Sequence, residues 1–355
     1  MRRLIVFLLV AASMLELKAQ DPHITMFYNA PNQLNPALTG VFNGNYRVSA
    51  LYRSQWGEVL REENTSQFRT MVASADFRLP VNKNSLGIGL QLLNDKASAS
   101  DYGTLRVGMS FAYSMSLDKW KKHRLSIGLQ AAMIQRSFSP DGLRLGHQWN
   151  GSFYDSSIDI GNDAYFNTLN QNRTFFDASV GALYFYRSRD NRTSAYGGFS
   201  FQHLNEPNQA LGVAEAKLPI RFSVHAGVEV PVADQFSVLP KFLFQSQGQN
   251  IETLFGADMR YIFDPRNPAG NSFHLGAMYR MVGGLNTDNS NSLNSESIAI
   301  LTGITFNGIG IGAAYDINVS EFADATLTRG AFEISASYIG SWERRKSPIT
   351  PCPTF

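Results

Sequence analysis

The sequence predicts an all-β chain: a transmembrane antiparallel β-barrel of about 14 strands, with long extracellular loops and short periplasmic turns. Three observations carry this expectation. Segments of roughly ten residues alternate apolar and polar side chains from Asn45 onward. The links between them alternate short and long. An amino-terminal apolar run looks like a secretory leader, and no later stretch is apolar enough for a spanning helix.

The elements follow in order. Met1-Arg2-Arg3 supplies positive charge and Leu4–Leu15 an apolar run shorter than the ~20 residues a spanning helix needs. Residues 1–19 are therefore expected to be a signal peptide, with Leu17-Lys18-Ala19 as the cleavage site, leaving Gln20 or Asp21 first. No cysteine follows, which argues against lipoprotein processing. Residues 20–44 form an irregular segment that fits neither helix nor strand. The barrel is expected over 45–340 and a tail over 341–355.

Strands are expected near 45–54, 68–78, 86–94, 104–117, 124–135, 174–187, 194–203, 219–230, 235–246, 251–263, 272–282, 295–306, 308–318 and 331–340. In 104–117, Leu105, Val107, Met109, Phe111, Tyr113, Met115 and Leu117 share one face, and Arg106, Gly108, Ser110, Ala112 and Ser114 the other. Strands seven to nine fit least well, and Pro240 falls inside one of them, where it removes a ladder hydrogen bond. Short links at 79–84, 118–123, 187–192, 231–235, 264–271 and Asn307 interleave with longer ones near 55–67, 95–103, 136–173, 204–218, 283–294 and 319–330. The link near 247–250 breaks the rule. Alternation alone also suits a soluble sandwich; the short-and-long rhythm selects the barrel and puts both termini in the periplasm. The long link 136–172 mixes aromatics with Asp, Asn and Gly, so it reads as an ordered lid or a docking surface.

Composition agrees. Of 355 residues, 17% are charged and 12% aromatic, with 25 Phe and 14 Tyr, which favours strands. A formal charge of +2 gives no reason to expect nucleic acid. A single cysteine, Cys352, excludes an intrachain disulfide and a thiolate zinc site.

Strand charges gather on one parity: Arg47, Asp76, Arg78, Arg106, Asp177, Arg221, Glu229, Lys241, Glu252, Asp258, Arg260, Arg280, Asp316 and Glu333. A pore tends to show one dominant sign at its constriction. Mixed signs suit a lumen filled and cross-linked by ion pairs. No catalytic constellation stands out. The histidines are scattered, without metal-ligand spacing, so no metal or cofactor is expected. His225 and His274 share the lumen parity with Ser223 and Ser272, but triads are recognised by geometry, and ordinary wet polar residues are the simpler reading. Asp155, Asp159 and Asp163 are spaced too widely for a calcium loop. The glycines of GIGIG (308–312) face the lumen, where small residues let something pack against the wall.

Specific residues carry a resemblance. MFYNAPNQLNPALTG (26–40) is similar to the amino-terminal signature of the PorP/SprF family, with Phe27, Asn29, Asn35, Pro36, Ala37 and Gly40 at the matching positions. AYGGFSFQHLNEPN (195–208), FHLGAMYR (273–280), IGAAYDINVSEF (311–322) and GAFEISASY (330–338) also resemble family segments. Gly330-Ala331-Phe332-Glu333 departs from the family's usual Gly-Ser-His-Glu, and 136–172 is unusually long. The resemblance implies a non-enzymatic component of the Bacteroidota type IX secretion system in the cell outer membrane, in contact with its lipid. It further implies a protein partner: the C-terminal domain of a secreted adhesin, or periplasmic secretion components. The alternatives are a passive channel for small or apolar solutes and an outer-membrane hydrolase, the latter needing a Ser–His pair in reach near the lipid boundary.

Irregular backbone cannot face lipid, since its polar groups would go unsatisfied. The segment 20–44 must therefore lie in the lumen, under the rim or on a partner. Phe27, Tyr28, Asn29, Leu34, Asn35 and Pro36 are the candidate plug or partner residues.

Overall fold

The computed structural model describes residues 21–62, 67–97, 102–139, 148–153, 155, 172–188, 192–212, 215–264, 266–267, 270–284, 292–321 and 323–342. The expected signal peptide, most of the 136–172 link, Asp159, Asp163 and the tail beyond Trp342 lie outside these residues.

Fourteen strands are found: β1 (Tyr46–Gln55), β2 (Phe68–Val81), β3 (Asn84–Ala97), β4 (Tyr102–Ser116), β5 (His123–Ser137), β6 (Asn172–Arg187), β7 (Ser194–Gln202), β8 (Arg221–Pro231), β9 (Phe236–Gln247), β10 (Asn250–Ile262), β11 (Ser272–Gly284), β12 (Ser292–Phe306), β13 (Ile309–Asn318) and β14 (Arg329–Gly340). Each pairs antiparallel with its neighbours in sequence, and β14 pairs with β1, closing the barrel. Closure leaves no edge, which lets strands cross lipid. No described helix is long and apolar enough to cross a membrane.

All fourteen expected strands are present, eight of them longer than expected, by one to five residues. Extension of β3 and β4 reduces the expected 95–103 loop to residues 98–101. The β12–β13 link is the pair Asn307-Gly308, both at positive φ (51° and 84°), the backbone of a tight hairpin. Pro240 stays within β9, on the exposed outer face and still in register with Ala257 of β10. The β8–β9 register pairs Gly227 with Lys241 and Val230 with Val238, skipping Leu239 and Pro240 between them. That gap is what the missing N–H predicts. Strand β7 is short, and the following loop continues its work: Leu204 N–H bonds Ala178 O, and the Asn205 side chain bonds both Phe176 O and Ala178 N–H.

The outer face is apolar and exposed, as Val107, Phe111, Leu129 and Ile300 illustrate. Aromatic rings gather at the short-turn rim, where Trp342 stacks on Tyr46 and Phe77 at 6.2 and 6.3 Å. Such a band matches the girdle of outer-membrane barrels. All fourteen charges assigned to the polar parity are buried inside. Burial without water requires pairing, and the structure supplies it, as in Arg47–Asp76 (2.8 Å), Arg106–Asp177 (2.9 Å) and Arg260–Glu229 (2.8 Å).

Candidate functional site

The lumen is occupied by residues 21–44. Three short helical turns, Phe27–Asn29, Pro31–Leu34 and Pro36–Leu38, give the segment its shape. Pro31 and Pro36 each open one of them, where a missing N–H costs nothing. Asn35 caps the last, its Oδ1 accepting from Ala37 N–H at 2.9 Å. The chain descends from the long-loop end, at Asp21, to the short-turn rim, where Asn45 leads into β1.

Wall contacts follow it down. Asp21 ion-pairs with His203 and Arg221, both at 3.0 Å. Burial opposes its ionisation, but these two cations outweigh burial and hold its carboxyl well below the usual range. His203 is itself shifted up: burial works against its charge, and Asp21 and Asp177 more than offset it. His23 meets Glu252 at 2.8 Å, and that carboxylate raises the imidazole pKa. The backbone N–H groups of Thr25 and Met26 donate to the two oxygens of Glu333, at 2.7 and 2.8 Å. Glu333 also binds Arg53 (2.6 Å), which reaches Asp316 (3.0 Å), and Asp316 in turn binds Arg280 (3.0 Å).

The candidate residues lie below this cluster. Phe27 is buried and meets Tyr28 edge to face at 5.5 Å. Lys241 Nζ lies 3.3 Å from the centre of the Tyr28 ring, a cation–π contact. Asn29 donates to Ser335 Oγ at 2.8 Å. Leu34 belongs to the apolar core of the lumen, with Leu183, Leu243 and Leu254 contributed by the wall. Asn35 is fully buried, and its Nδ2 contacts Ala182 O (3.1 Å), Phe199 O (3.0 Å) and His225 Nε2 (3.1 Å). Pro36 is buried against Gly128, where a Cβ would overlap its backbone.

Sequence reasoning missed Asp21, His23, Thr25 and Thr39, and singled out Gly40 only as a family-matching position. Gly40 adopts φ +74°, donates its N–H to Asp76 at 2.7 Å and approaches Gly87 so closely that a Cβ would sit 2.8 Å from its Cα. The available signal was glycine on the lumen parity: Gly87, Gly89, Gly128 and Gly181 all lie under this segment. The Ser–His question has a geometric answer. Ser272 Oγ and His274 Nε2 are 3.2 Å apart, but they stand inside the lumen and not at the lipid boundary. His225 holds Asn35, while Ser223 accepts from Gln245 at 3.1 Å. No cluster able to hold a metal occurs among the described residues.

The model of the PorP/SprF family, described as type IX secretion system membrane protein, matches residues 16–338. The chain belongs to the PorP/SprF family. It is thus a type IX secretion barrel of the outer membrane, and the signature Phe27–Gly40 is its lumenal segment. No curated protein matches the sequence. Among solved structures, the toluene transporter TbuX of Ralstonia pickettii is similar, at 10% identity and TM-score 0.50 over 87% of this chain and 92% of that one. CdiB from Acinetobacter baumannii is 9% identical, at TM-score 0.45 over 84% and 60%. At such identity the likeness to TbuX concerns the fold alone.

Proposed function

We propose that this PorP/SprF barrel is a closed, non-enzymatic docking component. It binds a protein partner, and so supports secretion or surface anchoring of a large adhesin or links the outer membrane to periplasmic secretion components. The observation that carries this reading is the occupied lumen: one segment, residues 21–44, bonded to the wall from the long-loop end to the rim. Its core residues Phe27, Leu34 and Asn35 are at most 5% exposed. A barrel filled in this way offers its loops and rims for work, not its bore.

A second reading, passive passage of small or apolar solutes, draws on two cavities, one of about 450 Å³ towards the rim and one of about 490 Å³ at the opposite mouth. Planar-bilayer recording and co-purification separate the two readings. The docking reading expects no steady conductance, and recovery of an adhesin C-terminal domain or of periplasmic type IX components with the barrel in mild detergent. An open channel with no such companion would refute it.

A further inference from the structure

At the long-loop mouth the strand register breaks in two places, and both breaks open on one cavity. The first lies between β11 and β12, where Arg280 pairs with Ser297 and Met281 with Ser295, leaving Glu296 as the extra residue. The second lies between β13 and β14, where Asp316 pairs with Ala331 and Ile317 with Arg329, leaving Gly330 over. Such bulges re-aim side chains and gather beside binding sites. Here Glu296 and Gly330 line the same cavity of about 490 Å³. Gly330 O accepts the N–H of Trp56 at 2.9 Å, which sets Trp56 in the cavity wall.

The polar groups of this cavity are unmet in one sense only. Glu296 Oε2 makes no hydrogen bond, and Arg280 Nε lies 3.9 Å from it. Arg53 and Arg280 are the lining cations, and each already holds two carboxylates: Asp316 and Glu333 for Arg53, Glu252 and Asp316 for Arg280. Glu296, with Glu321 at the exposed edge, is left in excess. Ser297 is an independent sign. It lines the cavity, is 4% exposed, and its hydroxyl has no hydrogen-bond partner. A buried polar atom left so is costly until a partner arrives. Water satisfies a hydroxyl but brings no opposite charge to Glu296.

We propose that this mouth cavity binds an organic cation, the lysine or arginine side chain of a secreted polypeptide. Its charged head lies between the Glu296 carboxylate and Ser297 Oγ, and its aliphatic stem lies on Trp56, Val282 and Val319. The inference rests on the docking reading and names the point of contact. Ammonium and guanidinium groups only donate, and both the carboxylate and the hydroxyl can accept. A hydrogen bond between ionised partners is also roughly twice as strong as a neutral one. Other occupants fit less well. An anion would meet the excess of carboxylates. A metal ion lacks a ligand set, since no group of three His, Cys, Asp or Glu able to hold one occurs among the described residues. A neutral apolar solute leaves Glu296 and Ser297 unmet.

The test uses the full barrel in mild detergent and three acetylated, amidated pentaglycine peptides whose central residue is replaced by lysine, arginine or norleucine. Titration calorimetry is expected to show the lysine or arginine peptide binding at least about tenfold more tightly than the norleucine one. Glu296→Gln should erase that preference. Asp264→Asn, which removes an exposed carboxylate at the short-turn rim, should leave it intact. Equal binding of the three peptides overturns the site, and this comparison needs no variant to fold. A preference that survives Glu296→Gln overturns it as well. Putrescine is the arm for a free amine: if it binds and neither basic peptide does, the polypeptide source falls. Co-purification of type IX components with the unaltered barrel is measured separately. If companions are recovered while the peptides fail, the cavity assignment falls and the docking reading stands.

Discussion

Gly181 of β6 and Asn35 of the lumenal segment share a space that only a missing side chain makes available: a Cβ on Gly181 would overlap Asn35 Oδ1. Asn35 cannot simply turn away, because its amide is held by Ala182 O, Phe199 O and the Ala37 N–H. The barrel wall and the family signature are therefore one fitted unit. Gly181→Val is expected to push the segment off the wall and to destabilise the protein by about 1–3 kcal/mol, the usual cost of overpacking. The loss of heat-modifiable mobility should shift to lower temperature, and bilayer recordings should show openings absent from the unaltered barrel. An unchanged midpoint with a closed bore would mean that the fit is looser than the structure shows.

Asn35→Ala probes the same contact from the other side. It removes a cap and leaves two buried carbonyls without their donor. The expected loss is about 1–3 kcal/mol, read as a lower urea midpoint in detergent. Asn35→Asp should be no better, since a carboxylate cannot donate to Ala182 O and Phe199 O.

Glu333→Gln tests the charge cluster around Thr25. Glu333 is fully buried, and Arg53 is 3% exposed. The amide keeps the shape but leaves Arg53 and Asp316 to rebalance a buried net charge. Breaking a buried pair typically costs about 3–5 kcal/mol. Asp264→Asn is the control: its partner Arg266 lies in solvent, 91% exposed, and no measurable change is expected there.

The fold was legible because lipid imposes the same demand on every strand. One face must be apolar, so the period of two survives even across Pro240. Loop lengths gave the orientation for a similar reason. The site was legible only in part. Phe27, Leu34 and the prolines announce a buried irregular segment, but nothing local tells which wall it meets. Thr25 finds Glu333 across 308 residues of sequence and Asn35 finds His225 across 190. Such partners are chosen by barrel closure, which no window of sequence contains. The lumen glycines could have been found, since Gly87, Gly128 and Gly181 sit on the polar parity with no turn to explain them.

The upper end of the segment should respond to pH through Asp21, His23 and His203. His23 faces Glu252, Glu296 and Arg280, and the carboxylates prevail, raising its pKa above 6.5. His203 is raised as well, by Asp21 and Asp177 against its burial. A raised folded-state value means that the proton is held more tightly in the folded form. This contribution is fully present below about pH 6.5 and is lost as pH climbs through the raised values. Asp21 has the opposite sign: its value is depressed from 3.8, so its contribution is present above that pH and is lost on acidification towards the lower value. The tether should thus be strongest from about pH 4 to 6.5 and weaken on the alkaline side first in any physiological titration. Hydrogen exchange of residues 21–30, corrected for intrinsic rates, should show protection falling as pH rises above neutrality while strand protection holds. His23→Gln should flatten that alkaline limb by removing one titrating group, with His203 left to account for the remainder. A limb of unchanged height in His23→Gln would show that the His23–Glu252 contact does not fasten the segment.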